Sequence, residues 1–383
     1  MREIQCILSA FQAIQAAGEA AALATVVNVK GSTYRRPGAR MLIMADGRTV
    51  GAISGGCLEN DVYLQAQLVM ESGDAILVTY DAITNEDTLW GLGLGCNGMV
   101  QVLIEPLNTP SGRHPLALMA ECLAQKQSGI LIMVFNAEAV STIQVGDWLM
   151  LYPDYSVNHR LRDQDLLACA IADAQTALRD RQSRVKTYDL PTGRIDVLIE
   201  WIQPITPLLI FGAGQDAKPL AQFAKALGWR VILIDRRATH ATSARFPMVD
   251  EIILANPEDG LSRLPLDAHA AAVVMTHNYW DDREILKALL PSPIRYLGML
   301  GPKHRTEHLL QDLLEAGNVY TSDQLSRLYA PVGLDIGADT PEEIALAIVA
   351  EIQAVLANCS GGQLRDRKGP IHPRRDQLAT PIA

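Results

Sequence analysis

The chain has 383 residues, enough for two or three domains that each bury a core of their own. Its hydrophobic fraction of 49% and charged fraction of 20% are ordinary for a soluble globular protein. The formal net charge of -10 argues against broad nucleic-acid binding, because that function requires a basic surface that displaces phosphate counterions.

The cysteines and the apolar runs predict a cytoplasmic protein. The six cysteines lie far apart without a C-x-x-C pair, which argues against a disulfide framework or a structural zinc site and favours a reducing compartment. No apolar run approaches the ~20 residues of a membrane span, so we predict no membrane association. Apolar side chains at helical spacing near the N-terminus predict an amphipathic helix there rather than a signal peptide.

Residues 1–203 are predicted to form a mixed α+β domain, because short β-type runs dominate this part without strict alternation with helices. A segment rich in proline, serine and glycine, 108–115, marks a sub-boundary within it. A helix is predicted over Leu166–Leu178. The predicted strands are Leu23–Val29, Arg40–Met44, Ala75–Tyr80, Met99–Glu105, Gly129–Phe135, Val185–Leu190 and Arg194–Trp201.

A polar loop with three arginines lies between the first two predicted strands and is bracketed by glycines. Guanidinium groups at this density favour a bound anion. The alternative is a solvated hairpin tip. The residues that we assign to cofactor binding in this loop are Gly31, Ser32, Arg35, Arg36 and Arg40.

Two glycine-rich segments of the first domain each carry a thiol. In the first, Gly55 and Gly56 expose main-chain amides ahead of a predicted helix start, and Cys57 lies near the positive end of that helix. A position near the positive end of a helix favours the thiolate, the form that binds soft metals or accepts sulfur. The second segment, 91–98, presents Cys96 among four glycines, and the two thiols together predict one shared site. The alternative is that each cysteine is a small hydrophobic packing residue.

After a proline-bounded linker at 204–207, strands and helices alternate, which predicts a doubly wound parallel sheet of the Rossmann type over residues 208–358. Thr340 is the predicted N-cap of the last helix, with Pro341 at its first position. A polar tail, 359–383, follows. The predicted strands are Leu208–Phe211, Val231–Ile234, Glu251–Leu254, Ala272–Met275 and Ile294–Leu297.

The first crossover of this domain carries a G-x-G-x-x-A turn between strand and helix. In such turns the first glycine permits the tight bend, the second lets a phosphate approach, and an acidic residue after the second strand meets a ribose hydroxyl. The alternative is that the turn only closes the fold. The residues that we assign to nucleotide-type binding are Gly212, Gly214, Asp216, Asp235 and Arg236.

Two further loops of this domain are candidates for anion binding. Thr276 and His277 follow the fourth predicted strand, where a parallel sheet places ligand groups, although a lone histidine is often structural. Gly298, Lys303 and Arg305 lie where the fifth strand ends and a basic helix begins, which favours a phosphate. A solvated basic turn is the alternative for the second loop.

These motifs, in this order, resemble the XdhC/CoxI family of xanthine dehydrogenase accessory proteins. The resemblance covers most of the chain in two blocks, one in each domain. The first block includes the arginine loop, Ser54-Gly55-Gly56-Cys57-Leu58-Glu59 and Gly95-Cys96-Asn97-Gly98. The second includes Phe211-Gly212-Ala213-Gly214, Thr276-His277, Gly298-Met299-Leu300-Gly301 and Thr340-Pro341-Glu342-Glu343.

The resemblance implies a chaperone that binds the molybdenum–pterin cofactor (molybdopterin), supports exchange of an oxo for a sulfido ligand, and inserts the cofactor into an apo molybdenum hydroxylase of the xanthine dehydrogenase type. It implies a cysteine desulfurase as sulfur source. Cys57, with Cys96 and Glu59, is our candidate for the sulfur or molybdenum contact. We also expect a homo-oligomer. Two alternatives are an NAD(P)-dependent oxidoreductase that uses the Gly212 turn and a nucleotide-sensing protein without chemistry.

Overall fold

The computed structural model of the chain describes residues 1–81, 98–107, 114–138, 142–191, 193–256, 259, 261, 264, 266–369 and 371. Two compact units make up the chain: one is Glu3–Pro204, and the other is Ile205–Ala383 with Met1–Arg2. In the described part of the chain, no helix combines the length and the apolar character needed to cross a membrane.

The first unit begins with helix α1 (Arg2–Ala17) and an antiparallel sheet in the order β3-β2-β1-β5-β4. Both faces of this sheet are buried. Along β1, Leu23 and Val27 enter one core, whereas Ala22, Ala24 and Val26 enter another that packs against α2. Burial on both faces explains why Ala21–Val27 of this strand are apolar except for Thr25. Its elements are β1 (Ala21–Gly31), β2 (Arg40–Met44), β3 (Thr49–Gly51), α2 (Glu59–Ser72), β4 (Ile76–Asp81) and β5 (Gly98–Pro106).

A second antiparallel sheet, in the order β8-β7-β6-β10-β9, completes this unit. Its inner face shares a core with the first sheet, in which Leu23 and Leu103 lie in the same cluster as Leu131 and Leu198. Helix α4 covers its other face. Its elements are α3 (Pro115–Ala124), β6 (Gly129–Glu138), β7 (Trp148–Leu151), β8 (Val157–His159), α4 (Gln164–Asp180), β9 (Arg184–Leu190) and β10 (Gly193–Ile202).

Polar side chains interrupt the apolar layer between the two sheets. Arg40 of β2 forms a bidentate ion pair with Glu200 of β10, with N–O distances of 2.8 and 2.5 Å. Glu105 of β5 and His114, the N-cap of α3, are buried close by. Burial raises the pKa of Glu105 to about 7, although Arg40 and Arg160 act to lower it. These residues form the interlayer cluster, which adds a buried ion pair between the two sheets to the apolar core that they share.

The second unit contains a parallel sheet in the order β13-β12-β11-β14-β15-β16. Separate apolar clusters cover its two faces, as expected of a doubly wound sheet. The predicted fold class, a mixed α+β domain followed by a Rossmann-like domain, is confirmed. The strands are β11 (Pro207–Phe211), β12 (Arg230–Asp235), β13 (Glu251–Leu254), β14 (Ala271–Val274), β15 (Tyr296–Met299) and β16 (Leu328–Tyr329).

The described helices of this unit are α5 (Ala217–Ala226), α6 (Tyr279–Leu289), α7 (Lys303–Glu315), α8 (Ser322–Ser326) and α9 (Pro341–Leu356), followed by a short 3-10 helix, Leu364–Asp366. The predicted start of α9 is confirmed. The Thr340 hydroxyl accepts a hydrogen bond from the Glu343 amide, and the Glu343 carboxylate accepts one from the Thr340 amide.

Candidate functional site

A cleft in the first unit is formed by the loop that follows β1, the loop that follows β3, and strands β4 and β5. The cleft is partly open, and its volume is about 370 Å³ when the adjoining solvent space is included. Two residues predicted from sequence, Arg35 and Cys57, therefore lie in one site. The lining residues are Thr33, Tyr34, Arg35, Ile53, Ser54, Cys57, Leu58, Tyr80, Gly98 and Val100.

The loop that carries Cys57 is held by the side chains of Ser54 and Glu59. The Ser54 hydroxyl oxygen accepts hydrogen bonds from the amides of Gly56, at 3.1 Å, and Leu58, at 3.2 Å. The Glu59 carboxylate accepts a hydrogen bond from the Ser54 amide at 2.8 Å and another from the Ser54 hydroxyl. Gly56 has a φ of +109°, a conformation that favours glycine. The Cys57 thiol is exposed at the tip of this loop.

Glu59 is placed by the first turn of α2, and its carboxylate turns back toward the loop. Partial burial acts to raise the pKa of Glu59, but the hydrogen bonds from Ser54 and Leu58 outweigh it and lower the pKa below its ordinary value. Glu59 therefore accepts hydrogen bonds as a carboxylate at neutral pH. It shapes the loop around Cys57 and does not line the cleft.

The three arginines of the arginine loop, which lies between β1 and β2, have different surroundings. Arg35 lines the cleft and forms an ion pair with Glu3 of α1. Arg36 is exposed in the same loop, as are Gly31 and Ser32. The assignment of Arg40 to cofactor binding needs correction, because its side chain is only 2% exposed and both terminal nitrogens are engaged by Glu200.

Eight of the ten residues that line the cleft were not assigned to the site from sequence, and four of them have clear roles. Tyr34 is 69% exposed, and its ring lies 3.8 Å from the position that a Cβ on Gly55 would take. The Tyr80 hydroxyl donates a hydrogen bond to Asp61 at 2.5 Å. The Ser54 hydroxyl fixes the loop that carries Cys57 by accepting the Leu58 amide. Tyr34 was detectable as the aromatic residue within the arginine loop. The fourth residue is Gly98. Cys96, the second predicted thiol, lies outside the described residues.

Gly98 of β5 is required by a close backbone approach. A Cβ at this position would lie 2.6 Å from the Ser32 carbonyl oxygen and 2.7 Å from that of Lys30. We expect Gly98→Ala to displace the arginine loop and to cost about 1–3 kcal/mol of unfolding free energy, as overpacking does. Urea unfolding measures the cost. Gly55→Ala is the matched control, since its Cβ would make only an ordinary contact, and equal stability of the two variants would contradict the prediction.

In the second unit, neighbouring protein atoms pack closely against the glycine turn that follows β11. A Cβ on Gly212 would lie 2.4 Å from the Met275 carbonyl oxygen, so this glycine permits close packing of neighbouring strands. The Asp235 carboxylate accepts the Ala213 amide at 2.7 Å and is bound by Arg237 at 2.6 Å. Partial burial acts to raise the pKa of Asp235, but the Arg237 contacts lower it below its ordinary value. The assignment of Asp235 to a ribose hydroxyl is therefore corrected, because this carboxylate is already bound.

The Asp216 carboxylate lies against Gly214, the second glycine of the turn. Its Oδ1 is 2.4 Å from the position of a Cβ on Gly214, and its Oδ2 is 3.1 Å from Nε2 of His277. His277 is 61% exposed and has a φ of +59°. A carboxylate repels a phosphate at the place where a dinucleotide would approach Gly214. The arrangement does not fit NAD(P) as the side chains stand.

Most of the other predicted anion ligands of this unit already form ion pairs or hydrogen bonds with protein carboxylates. Arg236 pairs with Asp281 at 3.1 Å, and Arg305 pairs at 2.5 Å with Asp282, which also accepts the Thr276 hydroxyl. Burial raises the pKa of Asp282 although Thr276 and Arg305 act to lower it. Lys303 is exposed at the start of α7.

Gly298 is a further correction. It is buried within β15 rather than in the turn after the strand, and a Cβ there would lie 2.5 Å from the Val332 side chain. Its role is packing, and the strand is shifted by two residues from the predicted Ile294–Leu297. Across the part of the chain that the structure describes, no group of three or more His, Cys, Asp or Glu side chains is arranged to hold a metal ion.

Comparison with known proteins gives matches in both units. A model of the XdhC and CoxI family matches residues 14–81, and a model described as the XdhC Rossmann domain matches residues 208–352. A Bacillus subtilis (strain 168) protein, described as a probable subunit of xanthine dehydrogenase, is 35% identical over 336 residues. The match covers 87% of this chain and 92% of that protein.

Two further proteins match most of the chain. The molybdenum cofactor insertion chaperone PaoD of Escherichia coli (strain K12) is 24% identical over 340 residues, 88% of this chain and 84% of that protein. A crystal structure from Bacillus halodurans, described as a xanthine dehydrogenase, matches with a TM-score of 0.73 and 30% identity and covers 98% of both chains. The matches confirm the resemblance seen in the motifs. The chain belongs to the XdhC and CoxI family.

Proposed function

We propose that this protein binds the molybdenum–pterin cofactor as cargo and inserts it into a molybdenum hydroxylase of the xanthine dehydrogenase type. Two relatives support this role by their names, one as part of a xanthine dehydrogenase and the other as a cofactor insertion chaperone. The observation that carries the proposal is the cleft of the first unit, in which an exposed thiol, a guanidinium group and an exposed aromatic ring lie together.

Each part of the cargo has a matching group in this cleft. Arg35 offers a planar guanidinium to the terminal phosphate, which must displace Glu3 from its present ion pair. The Tyr34 ring offers a face on which the pterin stacks. Cys57 offers a soft sulfur donor to molybdenum.

Sulfuration of the cofactor extends this proposal. The cleft holds the molybdenum while one oxo ligand leaves as water and a sulfido ligand takes its place. A cysteine desulfurase supplies the sulfur as a persulfide, and a thiol reductant supplies the two electrons that convert this sulfur to sulfide. The exposed position of Cys57 supports access by a second protein, because the thiol stands at the loop tip rather than in the core. The acceptor of the finished cofactor is then the apo-hydroxylase.

Replacement of Cys57 tests the proposal. We expect Cys57→Ala to fold normally but to lower activation of the client hydroxylase by about ten-fold or more, as loss of a metal contact does. Client activity is measured after co-expression at matched levels of client protein. Cys169→Ala is the control, since Cys169 is also exposed but lies on α4. Wild-type activation by Cys57→Ala would remove this thiol from the mechanism.

A further inference from the structure

The first unit contains one structural module twice. Each copy runs through a helix, three strands, a second helix and two strands, from α1 to β5 in the first copy and from α3 to β10 in the second. The two sheets also have the same strand order, with β1 and β6 at the centre, β2 and β7 on one side and β5 and β10 on the other. The residues of the two copies can therefore be compared one by one.

Main-chain hydrogen bonds fix which residues correspond. In each copy, the first strand donates an amide at 2.8 Å to the end of the loop that follows it, and a second amide, at 3.0 Å, closes the hairpin between the second and third strands. The pairs, all at one constant spacing along the chain, are Val26 with Val134, Ala39 with Asp147, Met44 with Tyr152 and Arg48 with Ser156. The buried residues of the second helix keep this spacing, with Val62, Ala66 and Val69 on α2 and Ala170, Ala174 and Ala177 on α4. Strands β5 and β10 are aligned by their pairing, because Val26 lies opposite Val102 and Val134 opposite Val197.

The counterpart of the cleft in the second copy is filled by a side chain of the protein. Arg35 corresponds to Ile143, which is only 4% exposed. Ile143 belongs to one buried cluster together with the counterparts of four residues that line the cleft. These counterparts are Leu161 for Ile53, Leu166 for Leu58, Tyr188 for Tyr80 and Ile195 for Val100. Asp165 stands where the first copy has Cys57, so the second copy keeps the module but has neither the thiol nor the guanidinium group.

We propose that the inner part of the cleft receives the flat pterin ring of the cargo, in the space that Ile143 fills in the second copy. The walls of this inner part are apolar or aromatic, and Ile53, Leu58 and Tyr80 are all buried. Such walls suit a planar ring better than a phosphate or a metal centre, because burial of a charge without a partner is costly. The charged parts of the cargo then face the mouth, where Arg35 lies. The inference deepens the proposed function and rests on it for the identity of the cargo.

A substitution that imitates the second copy should close the cleft. Arg35→Ile supplies the side chain that fills the counterpart, whereas Arg35→Ala removes the same guanidinium group and the same ion pair with Glu3 but fills nothing. We expect Arg35→Ile to melt about 4 °C or more above Arg35→Ala, because a buried isoleucine stabilises a core relative to alanine. Ile143→Ala, which empties the counterpart, should lower the melting temperature of the same unit and so identifies the transition to be compared.

Binding of hydroxymethylpterin, a fluorescent pterin without phosphate or metal, tests the position of the ring directly. The full chain is produced in a host that makes no molybdopterin and is titrated with this probe. Because the probe has no phosphate, Arg35→Ala should bind it with a Kd within about two-fold of wild type, whereas Arg35→Ile should bind it about ten-fold more weakly or worse. Equal Kd values for the two variants, equal melting temperatures, or a wild-type chain that does not bind the probe would overturn the inference.

Neither measurement involves molybdenum or a client enzyme. A chain that activates its client but does not bind hydroxymethylpterin would overturn this inference and leave the proposed function standing. A chain that binds the probe as expected but carries no molybdopterin and activates no client would overturn the proposed function instead. The two failures are therefore distinguishable.

Discussion

Arg40→Ala is expected to lower the free energy of unfolding by about 3–5 kcal/mol, the usual cost of removing one partner from a buried ion pair. Arg40 is 2% exposed and Glu200 only 15%, so the substitution leaves a carboxylate with little access to water. It also removes the donor to the Gly38 carbonyl, which lies in the arginine loop. The substitution should therefore weaken both the packing of the two sheets and the loop that carries Arg35.

Urea unfolding of the variant measures this loss, with Arg48→Ala as the control. Arg48 pairs with Asp46 on the surface, where both side chains are more than half exposed. A pair in that position contributes little, so the control should unfold at the wild-type midpoint. Equal midpoints for the two variants would show that the interlayer cluster does not hold the sheets together.

Glu105→Gln is expected to remove a pH dependence of stability that is unusual for a carboxylate. Burial raises the pKa of Glu105 from 4.5 to about 7 in the folded protein. Below pH 4.5 both the folded and the unfolded state hold the proton, whereas between pH 4.5 and about 7 only the unfolded state releases it, so stability falls as the pH rises. At pH 8 the ionised carboxylate costs about 3 kcal/mol, from about 1.36 kcal/mol per pKa unit.

The difference between wild type and Glu105→Gln isolates this contribution. His114 titrates in the same layer in the opposite sense, because burial lowers its pKa to about 3, but it is present in both proteins and cancels. We expect the unfolding free energy of wild type to fall relative to the variant between about pH 5 and pH 8. A constant difference across that range would show that Glu105 is ionised throughout in the folded state.

Much of the fold was predictable because it depends on local pattern. The limits of β2 at Arg40–Met44 were predicted correctly, since a short apolar run ends at turn residues on both sides. The Rossmann order was predictable from the alternation of strands and helices, and the start of the last helix from Thr340 as N-cap with Pro341 at the first position. These features depend only on residues that lie close together in the sequence.

The candidate site was predictable only where one segment supplies the chemistry. Arg35 was identified as an anion ligand and Cys57 as a sulfur or metal contact, each in a glycine-bounded loop, and both line the cleft. Arg40 was misassigned because its partner, Glu200, is 160 residues away in the chain. Asp235 was misassigned because the glycine motif does not reveal that its carboxylate is bound by a nearby arginine and a main-chain amide. Contacts between side chains in the folded protein decide which charges remain available to a ligand.

The pterin content of the purified protein tests the central proposal most directly. The chain is expressed in a host that makes molybdopterin, purified without its client and denatured, and the released pterin is oxidised and measured by fluorescence alongside molybdenum. We predict pterin and molybdenum in wild type and a marked loss of both in a variant that combines Arg35→Ala with Cys57→Ala. A wild-type protein that carries no pterin yet activates its client, or a double variant with full pterin content, would contradict the proposal.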